Sequence, residues 1–251
     1  MHSESPRPDA QAMFKNLAYL LYQPYKLLIF LPIMVITTNV IGATIVLVLA
    51  LGFQRLAHAL PVLWARINAL ATPSRVRIQG QENAVPGQSY VIVANHQSHF
   101  DILALYGWLG LDFRWVMKME LRKIPVLGLA CERLGHVYID RSNSQRAQAS
   151  INAAKKQLVG GTSILFFPEG TRSLDGRLLP FKRGAFKLAK ELQLPILPVT
   201  IIGSHDILPA KTLNLFPGSM DIIIHPPIAV DANTSEESLI TQARERIDSC
   251  L

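Results

Sequence analysis

Cysteine is nearly missing. Cys131 and Cys250 are the only two in 251 residues, and neither belongs to a C-x-x-C pair. Two thiols are too few for a disulfide framework, which fits a reduced, cytosol-facing domain. Charge is also sparse, 17% of residues against 49% hydrophobic, and the shortage is concentrated in one place. Residues 27–53, "LLIFLPIMVITTNVIGATIVLVLALGF", carry no charge over 27 positions. Core helices of soluble proteins rarely stay uncharged so long. A secretory leader has an apolar stretch of about 7–15 residues, roughly half this length, although "AHA" at 57–59 mimics a cleavage site. The run therefore reads as a retained membrane anchor. It is long enough for one tilted helix across a bilayer core of roughly 20 residues, or for two half-depth helices. Pro32, the Thr37-Thr38-Asn39 polar step and Gly42 are the candidate break points. Lys15 and Lys26 on one side and Arg55 and Arg66 on the other leave its orientation open.

Other absences narrow the chemistry. There is no lysine- or arginine-rich block and no nucleic-acid motif, so the net charge of +7 points to anionic surfaces or phosphorylated substrates rather than to nucleic acid. There is no Walker A loop, no kinase signature and no G-x-S-x-G elbow. No internal repeat and no linker divides residues 72–251.

What is present alternates. Strand-like runs at 75–78, 90–94, 113–117, 137–139, 163–167, 196–201 and 220–224 interleave with helix-like runs at 100–110, 125–134, 145–159, 184–192 and 236–248. This predicts an α/β domain over 72–251 with a mixed, largely parallel sheet flanked by helices. Gly160-Gly161 would stop the third helix, and Thr234 or Ser235 would cap the last. Residues 1–12 read as a disordered terminus. Residues 13–71 read as a membrane-embedded helical segment, ending in an amphipathic helix over 56–72 that carries Trp64 and Arg66.

Two constellations carry chemistry. "NHQSHFD" (95–101) follows the buried-looking strand "YVIVA". Ser98 and Asp101 form an S-x-x-D helix start, with Asp101 in the first turn and His96 in the turn before it. Across that boundary Asp101 can reach back to one ring nitrogen of His96 and leave the other as a base. With no nucleophile motif in the chain, the nucleophile would be a hydroxyl of the substrate. The same residues also suit a plain helix cap, and His96, His99 and Asp101 loosely fit a metal site that lacks a second ligand cluster. "SILFFPEGTRSLDGRLLPFKRGAF" (163–186) ends a strand in Pro168, Glu169 and Gly170. Gly170 permits close backbone approach to an anion, Arg172 offers a forked donor, and Lys182 and Arg183 open the next helix. It reads as a phosphate cradle, or as a solvated basic turn. "GHVYIDR" adds Arg141 as a second clamp. His96, Asp101, Arg141, Glu169 and Arg172 all follow strand-like runs, where open α/β sheets gather ligands. Beside a membrane anchor, this predicts acyl or phosphoryl chemistry on an amphiphilic phosphate, and the lack of a Walker A loop, kinase signature or metal cluster favours acyl transfer.

The blocks "NHQSHFD", "GHVYIDR", "FPEGTRS" and "LPILPVTI", in this order, resemble the glycerolipid acyltransferases, bacterial 1-acyl-glycerol-3-phosphate acyltransferases in particular. The resemblance covers residues 75–225, and "KMEL" (118–121) matches a further family segment. It implies His96 as general base and Asp101 as its orienting acid. It implies Arg141, Glu169, Gly170, Thr171 and Arg172 at the glycerol phosphate, Pro198 at the acyl site and Lys118 near the oxyanion. The donor would be acyl-CoA or acyl carrier protein, the acceptor a lysolipid in the bilayer, with no metal or organic cofactor. The active face would be cytoplasmic, on an inner membrane. A relative acting on another lysolipid, such as a lyso-ornithine lipid, and a non-catalytic lipid-binding protein are the rival readings.

Overall fold

The two central strands are buried on both faces, and their alternation assigns the layers of the domain. The computed structural model describes residues 20, 22–140, 142–155, 158, 160–231 and 233–251. The expected disordered stretch 1–12, Arg141 and Val159, the expected end of the third helix, lie outside them. β2 (Val91–Ala94) and β5 (Ser163–Phe166) are continuous apolar strands with every residue buried, the pattern of a parallel sheet covered on both sides. Ile92, Ala94 and Leu165 point to one face, with α3 (Phe100–Trp108). Val91, Val93, Ile164 and Phe166 point to the other, with α6 (Gly184–Leu192) and α8 (Glu236–Asp248).

The remaining strands are β1 (Arg75–Gln79), β3 (Phe113–Lys118), β4 (Val137–Ile139), β6 (Ile196–Ile202) and β7 (Ser219–Ile224), in the order β1-β7-β6-β2-β5-β3-β4. Five strands, β6 to β4, run parallel; β7 reverses against β6, and β1 runs parallel to β7. The connection between β6 and β7, residues 203–218, holds the one-turn α7 (Ser204–Ile207) and a loop, without the longer helix that usually carries a parallel crossover over the sheet. Gly203 makes the corner in the left-handed region (φ 82°), where an added Cβ would lie 2.3 Å from the Ser219 carbonyl oxygen. The expected mixed, largely parallel sheet flanked by helices is the observed one. The cap of α8 is Ser235, whose hydroxyl accepts from Ser238 N–H.

The apolar run forms α1 (Leu31–Ala50), entered through a π-helical turn at Lys26–Phe30. Pro32 sits at the start of α1, just after this widened turn, where its missing N–H is accommodated. None of the expected break points interrupts the helix. Asn39 and Thr44 bond back to Val35 and Val40 carbonyls, and Thr37 to that of Ile33. The turn comes at residues 51–53, through Gly52 (φ 86°), and leads into α2 (Gln54–Ala71). The polar step in the run has partners on α2: Asn68 Nδ2 donates to Thr37 Oγ1 (3.0 Å) and Trp64 Nε1 to Thr38 Oγ1 (3.0 Å). A buried amide or hydroxyl without such partners would cost about 1–3 kcal/mol, so these contacts fix the register of the hairpin. One side of α1 packs on α2 and on α4 (Leu127–Arg133) through Ile41, Ile45 and Val48. Gly42 lies under Val126, whose Cγ1 would be 2.8 Å from an added Cβ.

Candidate active site

β2 ends at Ala94, and the chain must leave the sheet without unravelling it. Asn95 achieves this: its side chain accepts from Ile201 N–H (2.7 Å) and donates to the Ile201 carbonyl (2.8 Å), standing in for the next rung of the ladder. His96 is therefore presented at the carboxyl end of the central strands. Its backbone is held from both sides by the loop after β5, with the N–H donating to Glu169 Oε1 (2.7 Å) and the carbonyl accepting from Ser173 N–H (2.9 Å).

The His96 ring meets Asp101, with Nδ1 2.7 Å from Oδ2. The same oxygen accepts from Gln97 N–H (2.8 Å) and Ser98 N–H (2.9 Å), so three donors converge on one carboxylate oxygen. Asp101 is wholly buried, while the His96 side chain keeps 14% of its surface exposed. An ionised carboxylate only accepts, so the proton between them sits on Nδ1 and Nε2 carries the lone pair. The helix start differs from the expected capping box: the N-cap is His99, one residue after Ser98. Ser98 Oγ takes Phe100 N–H (3.1 Å) and donates to the Leu208 carbonyl (2.8 Å), whereas the Asp101 reach-back to Ser98 is as expected. Phe167 lies flat against the imidazole, with centroids 3.8 Å apart and planes 8° apart, and is itself backed by Trp115 at 5.5 Å. Carboxylate and stack together fix both ring direction and ring plane.

The loop after β5 brings some expected residues to this point and assigns others different work. Arg172 is half-buried, forms no ion pair with an acidic side chain among the described residues, and sits close enough to His99 to help hold that imidazole below its usual range, after the larger effect of burial. Thr171 is exposed. Gly170 adopts φ 71°, with the Lys182 side chain laid across it, where an added Cβ would be 2.7 Å from Nζ. The Gly170 N–H is occupied within the turn by the Phe167 carbonyl (3.0 Å), so glycine here makes room for a lysine rather than offering a backbone donor.

Glu169 does not face the opening. Its two oxygens accept from His96 N–H and from Leu179 N–H (2.9 Å), fastening the His96 turn to the loop. Lys118 pairs with Glu120 (3.0 Å), and both are more than half exposed. Pro198 is buried inside β6 opposite Val93, on the sheet face away from Phe167. Arg141 lies outside the described residues. Asn95, Phe167 and Arg244, which donates to the Leu178 and Leu179 carbonyls, were not among the expected site residues. For Phe167 a signal existed: alternation along β5 puts residue 167 on the face of Leu165, the same face as the turn after β2. Among the described residues, no group of three or more His, Cys, Asp or Glu side chains converges to hold a metal ion.

Burial raises the Glu169 carboxyl from 4.5 to about 7, against the opposing pull of its two backbone donors. Between these values the folded chain holds a proton that the unfolded chain releases, so this group favours folding below pH 4.5 and loses that contribution as the pH climbs to about 7. Glu169→Gln removes the dependence. The melting temperature of the variant relative to the parent is expected to rise from about pH 5 to about pH 8; a constant offset across that range would refute the assignment.

The mixed, largely parallel sheet with its flanking helices has the fold of a solved acyltransferase. The acyltransferase family pattern matches residues 75–202, and the chain belongs to that family of O-acyltransferases. It is 32% identical over 247 residues to a 1-acyl-sn-glycerol-3-phosphate acyltransferase of Chlamydomonas reinhardtii, covering 97% of this chain and 72% of the algal one. It is 34% identical over 164 residues to the human 1-acyl-sn-glycerol-3-phosphate acyltransferase alpha, covering 65% of this chain and 58% of that one. The fold is similar to the crystal structure of the 1-acyl-sn-glycerophosphate (LPA) acyltransferase PlsC from Thermotoga maritima, with a TM-score of 0.79, 27% identity and 95% of each chain covered.

Proposed function

We propose that this chain transfers an acyl group from a thioester donor, acyl-CoA or acyl carrier protein, to the free glycerol hydroxyl of 1-acyl-glycerol-3-phosphate, forming phosphatidic acid. The observation that carries the reading is the 2.7 Å contact between His96 Nδ1 and the fully buried Asp101, which directs Nε2 outward as a base. The hydroxyl oxygen attacks the thioester carbonyl as Nε2 takes its proton. The tetrahedral intermediate then collapses, the C–S bond breaks, and the thiolate leaves, taking up a proton. No enzyme side chain is acylated. Asp101 stabilises the imidazolium formed on the way. Arg172 holds the acceptor phosphate by a forked contact, with Lys182 beside it and Arg141 as a second clamp.

The N-terminal helices would supply the lipid. Tyr22–Ala50 is long and apolar enough to cross a membrane. Yet Phe30, Ile41, Ile45 and Val48 are buried on the protein, while Leu31, Val35, Val40 and Leu47 are exposed. A helix packed along its length on the catalytic domain favours lying within one leaflet over spanning both. Because thioester donors of this kind are cytosolic, the reading puts the active face on the cytoplasmic side, in a bacterial chain at the inner membrane. The near-complete overlap with the Thermotoga protein supports that bacterial type.

Purified protein in detergent, given labelled acyl donors and a panel of lysolipids, is expected to acylate 1-acyl-glycerol-3-phosphate. Arg172→Ala should lower kcat/KM for that acceptor by at least about tenfold, and much less for acceptors without a phosphate. Reaction with non-phosphorylated acceptors alone, a lyso-ornithine lipid among them, would show the phosphate assignment to be wrong.

A further inference from the structure

The most exposed large apolar side chain among the described residues is not on the N-terminal helices. It is Leu213, at 79% exposure, in the loop between α7 and β7. An exposed leucine on a floppy loop would mean little, but this loop is braced. Ile207 and Leu215 are buried at either side, Phe216 N–H bonds to the Ile207 carbonyl (2.9 Å), and Thr212 N–H and Oγ1 both bond to the Pro209 carbonyl (3.2 and 2.9 Å). Lys211 takes up φ 61°, a left-handed conformation that a lysine adopts only when the turn around it imposes it. The turn thus holds out a cation and a leucine in fixed positions.

Two contacts say what this turn adjoins. Lys26 Nζ donates to the Leu213 carbonyl (2.8 Å), so Leu213 lies beside the entry to α1, where Leu27, Leu28 and Ile29 are 56%, 76% and 44% exposed. The exposed apolar surface at the entry to the N-terminal helix therefore continues sideways onto the catalytic domain. At its other end the loop is tied to the His96 turn, through the bond from Ser98 Oγ to the Leu208 carbonyl (2.8 Å). Residues 208–218 contain no acidic side chain, and neither Lys26 nor Lys211 is in an ion pair among the described residues. Exposed apolar side chains flanked by lysines that meet no acidic side chain among the described residues suit one partner, a leaflet containing anionic phospholipid.

We propose that the turn at residues 211–213 is a second membrane-contact element, in which Leu213 enters the acyl region of an anionic leaflet, Lys211 and Lys26 meet its headgroups, and the Leu208–Ser98 bond transmits that depth to the His96 turn. The proposal rests on the lysolipid reading only for the choice of assay substrate. Leu213→Trp in the full chain, reconstituted into phosphatidylcholine–phosphatidylglycerol vesicles with brominated acyl chains, is expected to show quenching beyond that of the parent, which has three tryptophans. Leu213→Glu is expected to fold normally and to lower turnover of vesicle-embedded lysolipid by about tenfold, while leaving turnover of a monomeric short-chain lysolipid unchanged. Emission at residue 213 that brominated chains do not quench, or a Leu213→Glu variant that handles vesicle substrate like the parent, would overturn the proposal. A parent inactive on every lysolipid would defeat the functional reading instead, and the quenching result would still decide this one.

Discussion

Replacing His96 with alanine is expected to lower turnover by about 10³-fold or more while the protein stays folded. The variant keeps both backbone contacts of residue 96, to Glu169 and from Ser173, so the turn itself should persist. It loses the group proposed to take the acceptor proton, and it loses the stack on Phe167. Asp101 keeps two of its three donors, so the stability cost should be about 1–3 kcal/mol, seen as a lowered but still cooperative melt. Thiol release from the acyl donor, measured alongside circular dichroism, checks both. A variant that retains its rate would instead favour a lipid-binding role without catalysis.

Asp101→Asn should cost less, about 10²-fold, for a reason specific to this site. In a Ser-His-Asp triad the same change reverses the histidine tautomer and costs about 10⁴-fold. Here Gln97 and Ser98 N–H groups both point at the oxygen that also meets His96. An amide NH₂ in that position would face two donors, so the amide oxygen is kept there and the tautomer is preserved. What is lost is the negative charge that stabilises the imidazolium. Asp101→Ala removes the acceptor altogether and should fall to about 10³-fold below the parent. Rates for the two variants measured side by side test the distinction; equal losses would mean that the backbone donors do not control the tautomer.

Much of this was legible in the sequence because its signals are local. Strands at 137–139 and helices at 184–192 and 236–248 are found where periodicity and capping residues put them. The His96–Asp101 pairing followed from one strand end and one S-x-x-D helix start. The less legible features depend on partners remote in sequence. Thr37, Thr38 and Asn39 look like a break in an apolar run until Asn68 and Trp64 supply bonds to the two threonines. Glu169 looks like a ligand of the substrate until its carboxylate is seen between two backbone N–H groups. Gly170 was expected to open backbone to an anion and instead makes room for Lys182, twelve residues on. Phe167 was read as the end of a strand and the first residue of the "FPEGTRS" block, with no role of its own, although its stack fixes the plane of the imidazole.

The most direct test of the central claim is a crystal structure of the protein with an ether-linked 1-alkyl-glycerol-3-phosphate and no acyl donor. The account predicts the free glycerol hydroxyl within about 2.6–3.2 Å of His96 Nε2, with the phosphate on Arg172 and the Nδ1–Asp101 contact unchanged. A hydroxyl turned away from Nε2 while the phosphate sits on Arg172, or a His96 ring rotated off Asp101 in the complex, would contradict it.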